Sequence, residues 1–219
     1  MMNAYSEIYL DDAMRNLGEA FDYAVNACHI SVDEFIDFFV TSGYADGFGK
    51  GNPRLVSGLS GTELVMETLT KVGLNLDYPD AQTEYDYSPE YWCGWILAYF
   101  QWKTGRPFRN IQENISGTEI LKLYPTLHEA SEEKFVNTVN RMIERKNAPS
   151  RLQQQRKRCG YSQRELAKRA GVNLRTLQQY ELKTKDINKA AIQTVMALAN
   201  VLSCRVEDLV EYSTKNEEE

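Results

Sequence analysis

Gly47, Gly49, Lys50 and Gly51 crowd together, and a glycine-rich run bearing a lysine is the raw material of a loop that cradles phosphate with backbone amides. Such a loop needs Gly-Lys followed by Ser or Thr, directly after a strand. Here Lys50 precedes Gly51 and the upstream FIDFFV has helical spacing, so the segment reads as a turn. Cys28 beside His29 offers a thiol and an imidazole, but a nucleophile and its base meet across a fold rather than along one peptide. His128 is the only other histidine. Asp11, Asp12, Asp33 and Glu34 lack metal-ligand spacing and sit where helix N-termini favour negative charge. No base, nucleophile and metal set converges, so neither catalysis nor a cofactor or metal is expected.

Aromatic residues form the next candidate. Trp92, Trp95, Tyr99 and Trp102 recur at i, i+3, i+7 and i+10, which lines them along one helix face. Ile96 and Phe100 widen that apolar arc and favour a core role. The alternative is a partner-binding groove anchored by Tyr91, Trp92, Trp95, Tyr99 and Trp102, with Tyr85 and Tyr87 nearby, because Trp and Tyr are enriched as binding anchors.

The most specific spacing lies in QRELAKRAGVNLRTLQQYEL, from Gln163 to Leu182. Two short helices that cross steeply over a tight turn need a small residue in the first, a left-handed residue at the turn and apolar residues facing inward in the second. Ala167, Gly171, Leu177 and Tyr180 fall at those places. Ser162 and Glu165 supply a capping box at the start. Leu152 to Cys159 reads as a preceding basic helix, and Ile192, Val195, Ala199 and Leu202 recur at helical spacing afterwards. Val206, Leu209 and Val210 predict a short final helix.

On these residues the segment from about 150 to 212 resembles the five-helix DNA-binding domain of the Cro/CI-type (XRE) helix-turn-helix family. The resemblance implies that the second helix of the motif enters the major groove with its N-terminal end towards the bases. It offers Asn173, Leu174, Arg175, Thr176 and Gln179 to DNA, and gives Gln163 a phosphate contact while it braces that helix. Arg175 has the donors for guanine O6 and N7, Gln179 the donor and acceptor for adenine N6 and N7, and Leu174 an apolar surface for a thymine methyl. Lys183, Lys185 and Lys189 would hold phosphates and set register without reading sequence. The resemblance also implies a homodimer on double-stranded DNA.

Charge divides the chain at the same place. Twelve basic against six acidic residues leave +6 between 150 and 212, and the tail 213–219 carries −2. With −6 overall, residues 1–149 therefore hold −10. A basic module fused to an acidic one suits a phosphate binder attached to something that does not bind nucleic acid. The 219 residues, 42% hydrophobic, suffice for two modest cores. The expected division is an acidic helical domain over 1–146, a DNA-binding domain over 150–212 and an acidic tail over 213–219, all-α throughout. Helices are predicted near 9–27, 32–42, 61–72, 89–104, 117–123 and 127–146, several of them from Ser31 with Glu34, Ser88 before Pro89, Ser116 with Glu119 and Thr126 with Glu129. Between the second and third of these a long Gly-rich loop is expected, and Asn75 to Tyr87 reads as an exposed acidic connection.

The opening MMNAYSEIYLDDAMRN lacks a basic segment followed by an apolar run, and no stretch is apolar enough to span a bilayer, so a cytoplasmic location and no membrane partner are expected. Cys28, Cys93, Cys159 and Cys204 are scattered without a C-x-x-C pair and read as reduced packing residues. The segments SPEYWCGWILAYFQWKTGRPF and FGKGNPRLVSGLSGTELV resemble uncharacterised bacterial proteins, some associated with toxin-antitoxin loci, a resemblance that assigns no residue a role. The expected function is a transcriptional repressor whose first domain binds a toxin-like partner. The alternative is an interaction module or toxin inhibitor in which the helix-turn-helix serves as a scaffold.

Overall fold

Side-chain caps set many helix starts in the computed structural model, which describes residues 3–74, 77–80 and 87–211 and has no strand among them. The chain divides into the units Met1–Lys146 and Asn147–Glu219, each with its own apolar core. In the first, a 3-10 turn at Glu7–Tyr9 leads into α1 (Leu10–Asp22), which ends in a π-helical turn at Tyr23–Ala27. There follow α2 (Val32–Thr41), α3 (Tyr44–Gly49), a π-helical turn at Arg54–Gly58, α4 (Gly61–Lys71), α5 (Pro89–Thr104), α6 (Phe108–Asn114), α7 (Gly117–Leu121), α8 (Tyr124–Leu127) and α9 (Glu132–Asn147).

The boxes read from Ser31 with Glu34 and from Ser116 with Glu119 form, and Ser88 caps α5 by accepting from the Tyr91 amide at 2.9 Å. Ser60 with Glu63 makes a further box at the start of α4. Thr126 does not cap a helix. It lies inside α8, its hydroxyl donates back to the Leu123 carbonyl at 3.1 Å, and the long helix expected from 127 starts only at Glu132.

The Gly-rich loop expected between α2 and α4 is largely helical. Ala45, Phe48, Leu55 and Val56 are buried there, and short turns of helix satisfy the backbone that this burial takes from water. Helix α6 was likewise not expected, and it brings Phe108 and Ile111 into the core. Most of the acidic connection at 75–87 lies outside the described residues.

Helix α5 is the axis of this unit, with Trp92, Ile96, Leu97, Phe100 and Trp102 all buried. A helix that is apolar on every side belongs in an interior. Its closest neighbour is α1, and Gly94 is what permits the approach: a Cβ there would lie 2.3 Å from the Leu17 carbonyl oxygen. The aromatic residues Phe21, Phe35, Phe39, Phe48 and Phe108 join edge to face or stacked at 5.2–6.1 Å and fill the space between α1, α2, α3 and α6.

This placement corrects the groove alternative for Trp92 and Trp102. Trp92 is 7% and Trp102 4% exposed, the first against Tyr124 and Phe135, the second donating its indole N–H to the Tyr5 carbonyl at 2.9 Å. Tyr91, Trp95 and Tyr99 are half-buried.

The second unit comprises α10 (Arg151–Arg158), α11 (Gln163–Ala170), α12 (Leu174–Glu181), a 3-10 turn at Ile187–Lys189, α13 (Ile192–Val201) and a final 3-10 turn at Val206–Asp208. That last element is the short final helix expected, a single 3-10 turn. Leu152, Leu166, Ala167, Leu177, Tyr180, Val195, Leu198 and Leu209 form its core. Ile192, expected on the inward face of α13, is instead 60% exposed because it occupies the first position of the helix, beyond the edge of that core. The tail 213–219 lies outside the described residues.

Candidate nucleic-acid interface

The turn between α11 and α12 shows why the spacing works. Ser162 accepts from the Glu165 amide at 3.2 Å while the Glu165 carboxylate accepts from the Ser162 amide at 2.8 Å, which fixes where α11 begins. These bonds hold the Glu165 carboxyl below its usual range. At the other end Gly171 takes φ 65°, a left-handed conformation that costs a β-carbon-bearing residue energy, and Val172 N–H then closes on the Ala167 carbonyl at 3.0 Å. Asn173 caps α12, its Oδ1 accepting from the Arg175 and Thr176 amides at 2.9 and 3.4 Å.

That cap commits the Asn173 oxygen to the backbone and leaves only its amide N–H groups for a ligand. Leu174 is half-buried against the core, so part of the surface assigned to a thymine methyl is already covered. Arg175 is exposed, while Thr176 and Gln179 are half-exposed. Since Arg175 and Gln179 are four residues apart in one helix, they share a face one turn apart. Lys183, Lys185 and Lys189 are exposed in and after the turn that follows α12, Lys183 at φ 57° and the Lys185 ammonium 5.6 Å from the centre of the Tyr180 ring.

Gln163 hydrogen-bonds twice to side chains of α12. Its Nε2 donates to Glu181 Oε2 at 2.8 Å, and its Oε1 accepts from Gln178 Nε2 at 3.3 Å. Glu181 is met from α10 by Arg156, whose Nε and Nη2 donate to Oε1 and Oε2 at 2.5 and 2.9 Å. The Arg156 Nη1 also donates to the Tyr161 carbonyl at 2.7 Å. Three helices are thereby tied at one buried carboxylate.

Arg156 is one of the twelve basic residues of 150–212, yet its side chain is 10% exposed and that of Glu181 fully buried. The pair therefore cancels inside the domain and adds nothing to a phosphate-facing field. The hydrogen bonds to Glu181 raise the Arg156 guanidinium further above its already high range. The sequence carries a signal for this pair: Glu181 is an acid at the inner edge of α12, one residue after the core Tyr180, in an otherwise basic stretch.

Elsewhere the candidates stay apart. Cys28 is half-buried and His29 exposed, and among the described residues no group of three or more His, Cys, Asp or Glu could hold a metal ion. Gly47 and Gly49 lie in α3, where a Cβ on Gly47 would meet Leu55 at 2.7 Å and one on Gly49 would meet Gln101 at 3.1 Å. These glycines serve packing. No helix among the described residues is long and apolar enough to cross a membrane.

Residues 152–209 match the helix-turn-helix family model, which covers most of the second unit and none of the first. This segment is an XRE-type helix-turn-helix, a DNA-binding module in a chain whose described residues form helices and no strand. No curated protein and no solved structure matches the chain.

Proposed function

We propose that the protein is a sequence-specific transcriptional repressor that binds double-stranded DNA as a homodimer, with α12 of each copy in a major groove. The observation that carries this reading is the exposed Arg175, one turn from Gln179, on a helix held rigid by the buried Arg156–Glu181–Gln163 network. Arg175 has the geometry for guanine and Gln179 for adenine, while Lys183, Lys185 and Lys189 supply phosphate contacts. Asn173, Leu174 and Thr176 bound the contact, with the reductions noted above. Two copies on half-sites about one helical turn, roughly 34 Å, apart would supply the phosphate contacts that one small domain lacks. Repression follows from occupying a promoter.

The Met1–Lys146 unit is proposed as the receptor for a toxin-like partner protein, with DNA occupancy linked to that binding. Support comes from the negative charge of this part of the chain and from Tyr87, 73% exposed and stacked on Tyr91 at 4.1 Å.

The test of the DNA reading is binding of the full chain to its own promoter fragment across a salt series. Arg175→Ala should relax preference at one base pair, by about 1–3 kcal/mol, with the fold unchanged. An Arg175→Ala protein with the same sequence preference and salt slope as the parent would overturn the assignment of α12.

A further inference from the structure

Helices α10 and α13 end in the same way. Gly160 at φ 74° follows α10, with Tyr161 N–H on the Arg156 carbonyl and Gly160 N–H on that of Lys157. Ser203 at φ 51° follows α13, with Cys204 N–H on the Ala199 carbonyl and Ser203 N–H on that of Asn200. Both are Schellman closures, which hold the chain rigidly just past a helix end. Each carries a cysteine: Cys159 at the end of α10, and Cys204 just beyond α13.

The two ends meet. The Cys159 thiol donates to the Leu202 carbonyl at 3.4 Å, and Leu202 is two residues from Cys204, a Cα separation of at most about 7 Å. The turn Val206–Asp208, which begins two residues after Cys204, packs against both α10 and α13. Cys159 is exposed and Cys204 half-buried, and both are free thiols. Burial and then Asp208 push the Cys204 thiol up.

We infer that Cys159 and Cys204 are a redox-active pair that peroxide converts to an intramolecular disulfide, stapling the C-terminal ends of α10 and α13 around the helix-turn-helix. This goes beyond the DNA-binding reading and does not depend on it.

The exposed Cys159 thiolate attacks one oxygen of hydrogen peroxide. The O–O bond breaks, hydroxide leaves and is protonated to water, and Cys159 becomes a sulfenic acid. Cys204, deprotonated, then attacks that sulfur. The S–S bond forms as the S–O bond breaks, and a second hydroxide leaves as water. Two thiols lose two electrons and peroxide gains them. The order follows from exposure, since the accessible thiol meets the oxidant and the half-buried one resolves it. The closed loop contains α11 and α12, so the bond restricts the unfolded chain across the whole motif.

The test treats the full-length protein with hydrogen peroxide and maps its peptides without reductant. Free thiols should fall from four to two, with one new cross-linked peptide pair containing Cys159 and Cys204 and lighter by two hydrogens. The melting transition of the Asn147–Glu219 unit should rise by on the order of 10 °C. Cys204→Ser should instead accumulate a sulfenic acid on Cys159 that a dimedone probe captures, and Cys159→Ser should leave Cys204 largely unlabelled. Because Cys159 is exposed, its serine variant should keep the parental circular dichroism spectrum.

Disulfide-linked dimers, pairing with Cys28 or Cys93, or sulfenic acid on Cys159 of the parent chain with no cross-link would each overturn the pair. A bond that forms without moving the melting transition would overturn its stapling role.

Discussion

Glu181→Ala is the most searching perturbation of the DNA-binding unit, because it removes the one carboxylate that the Arg156 and Gln163 side chains share. Arg156 would lose both charge-assisted hydrogen bonds, at 2.5 and 2.9 Å, and Gln163 its 2.8 Å bond. The Arg156 side chain, 10% exposed, would keep only the Tyr161 carbonyl and could not reach enough water to recover its hydration. Leaving one member of a buried pair uncompensated costs about 3–5 kcal/mol. For a domain of this size each kcal/mol moves Tm by roughly 4–8 °C, so the unit should melt about 15 °C or more below the parent. The double variant Arg156→Met with Glu181→Leu removes both charges together and keeps apolar volume. It should melt near or above the parent, since ion pairs in such places seldom outperform a packed apolar pair.

The two units can be followed separately in the intact chain. Trp92, Trp95 and Trp102 all lie in the Met1–Lys146 unit, and Asn147–Glu219 contains no tryptophan. Indole fluorescence therefore reports the first unit alone, while far-ultraviolet circular dichroism reports both. The single variant should lower one phase of the dichroism melt and leave the fluorescence midpoint in place. If Glu181→Ala melts within about 1 kcal/mol of the parent, or if the double variant falls as far as the single, the argument that desolvation makes this pair indispensable once present is refuted.

Three further outcomes follow from the same geometry. Replacing Lys183, Lys185 and Lys189 one at a time with Gln should weaken DNA binding about equally for all sequences and lower the salt slope by about 1 each, and an unchanged slope in binding titrations would remove that lysine from the phosphate contacts. Gly94→Ala would press a methyl group to 2.3 Å from the Leu17 carbonyl and 2.9 Å from the Phe21 Cβ, so the fluorescence midpoint should fall by an amount equivalent to at least about 1–3 kcal/mol with the DNA-binding unit unaffected. Hydrogen bonds to Ser162 hold the Glu165 carboxyl below its usual range, so its contribution is complete above the unfolded glutamate pKa and is lost as pH falls through the lower folded value. Glu165→Gln should flatten the acid limb of the stability profile of the second unit. An acid limb identical to the parent's would show that the carboxylate charge contributes nothing at this cap.

Local rules were legible because their partners lie close in the chain. Gly171, Asn173 and the Ser162–Glu165 box act within one turn of backbone, so spacing alone located α11 and α12. The same logic located the starts of α2, α5 and α7. It failed at Thr126, where the hydroxyl satisfied a carbonyl inside an existing turn, and in the Gly-rich stretch, where Phe48, Leu55 and Val56 found a core that glycine content does not announce. The net charge of 150–212 counts Arg156 in full, and the aromatic spacing leaves the tryptophans open as binding anchors. Burial reassigned Arg156, Trp92 and Trp102 to interiors.

By itself, then, the order of residues determined the helical class, the turn that sets α12 and the side chains on its outer face, since each depends on neighbours three or four positions away. Tertiary structure alone decided which charge is buried against which, through Arg156 meeting Glu181 from 25 positions away, and which helix ends meet, through the Cys159 thiol touching the carbonyl of Leu202 from 43 positions away. Those pairings arise where helices cross, and a crossing has no period along the chain.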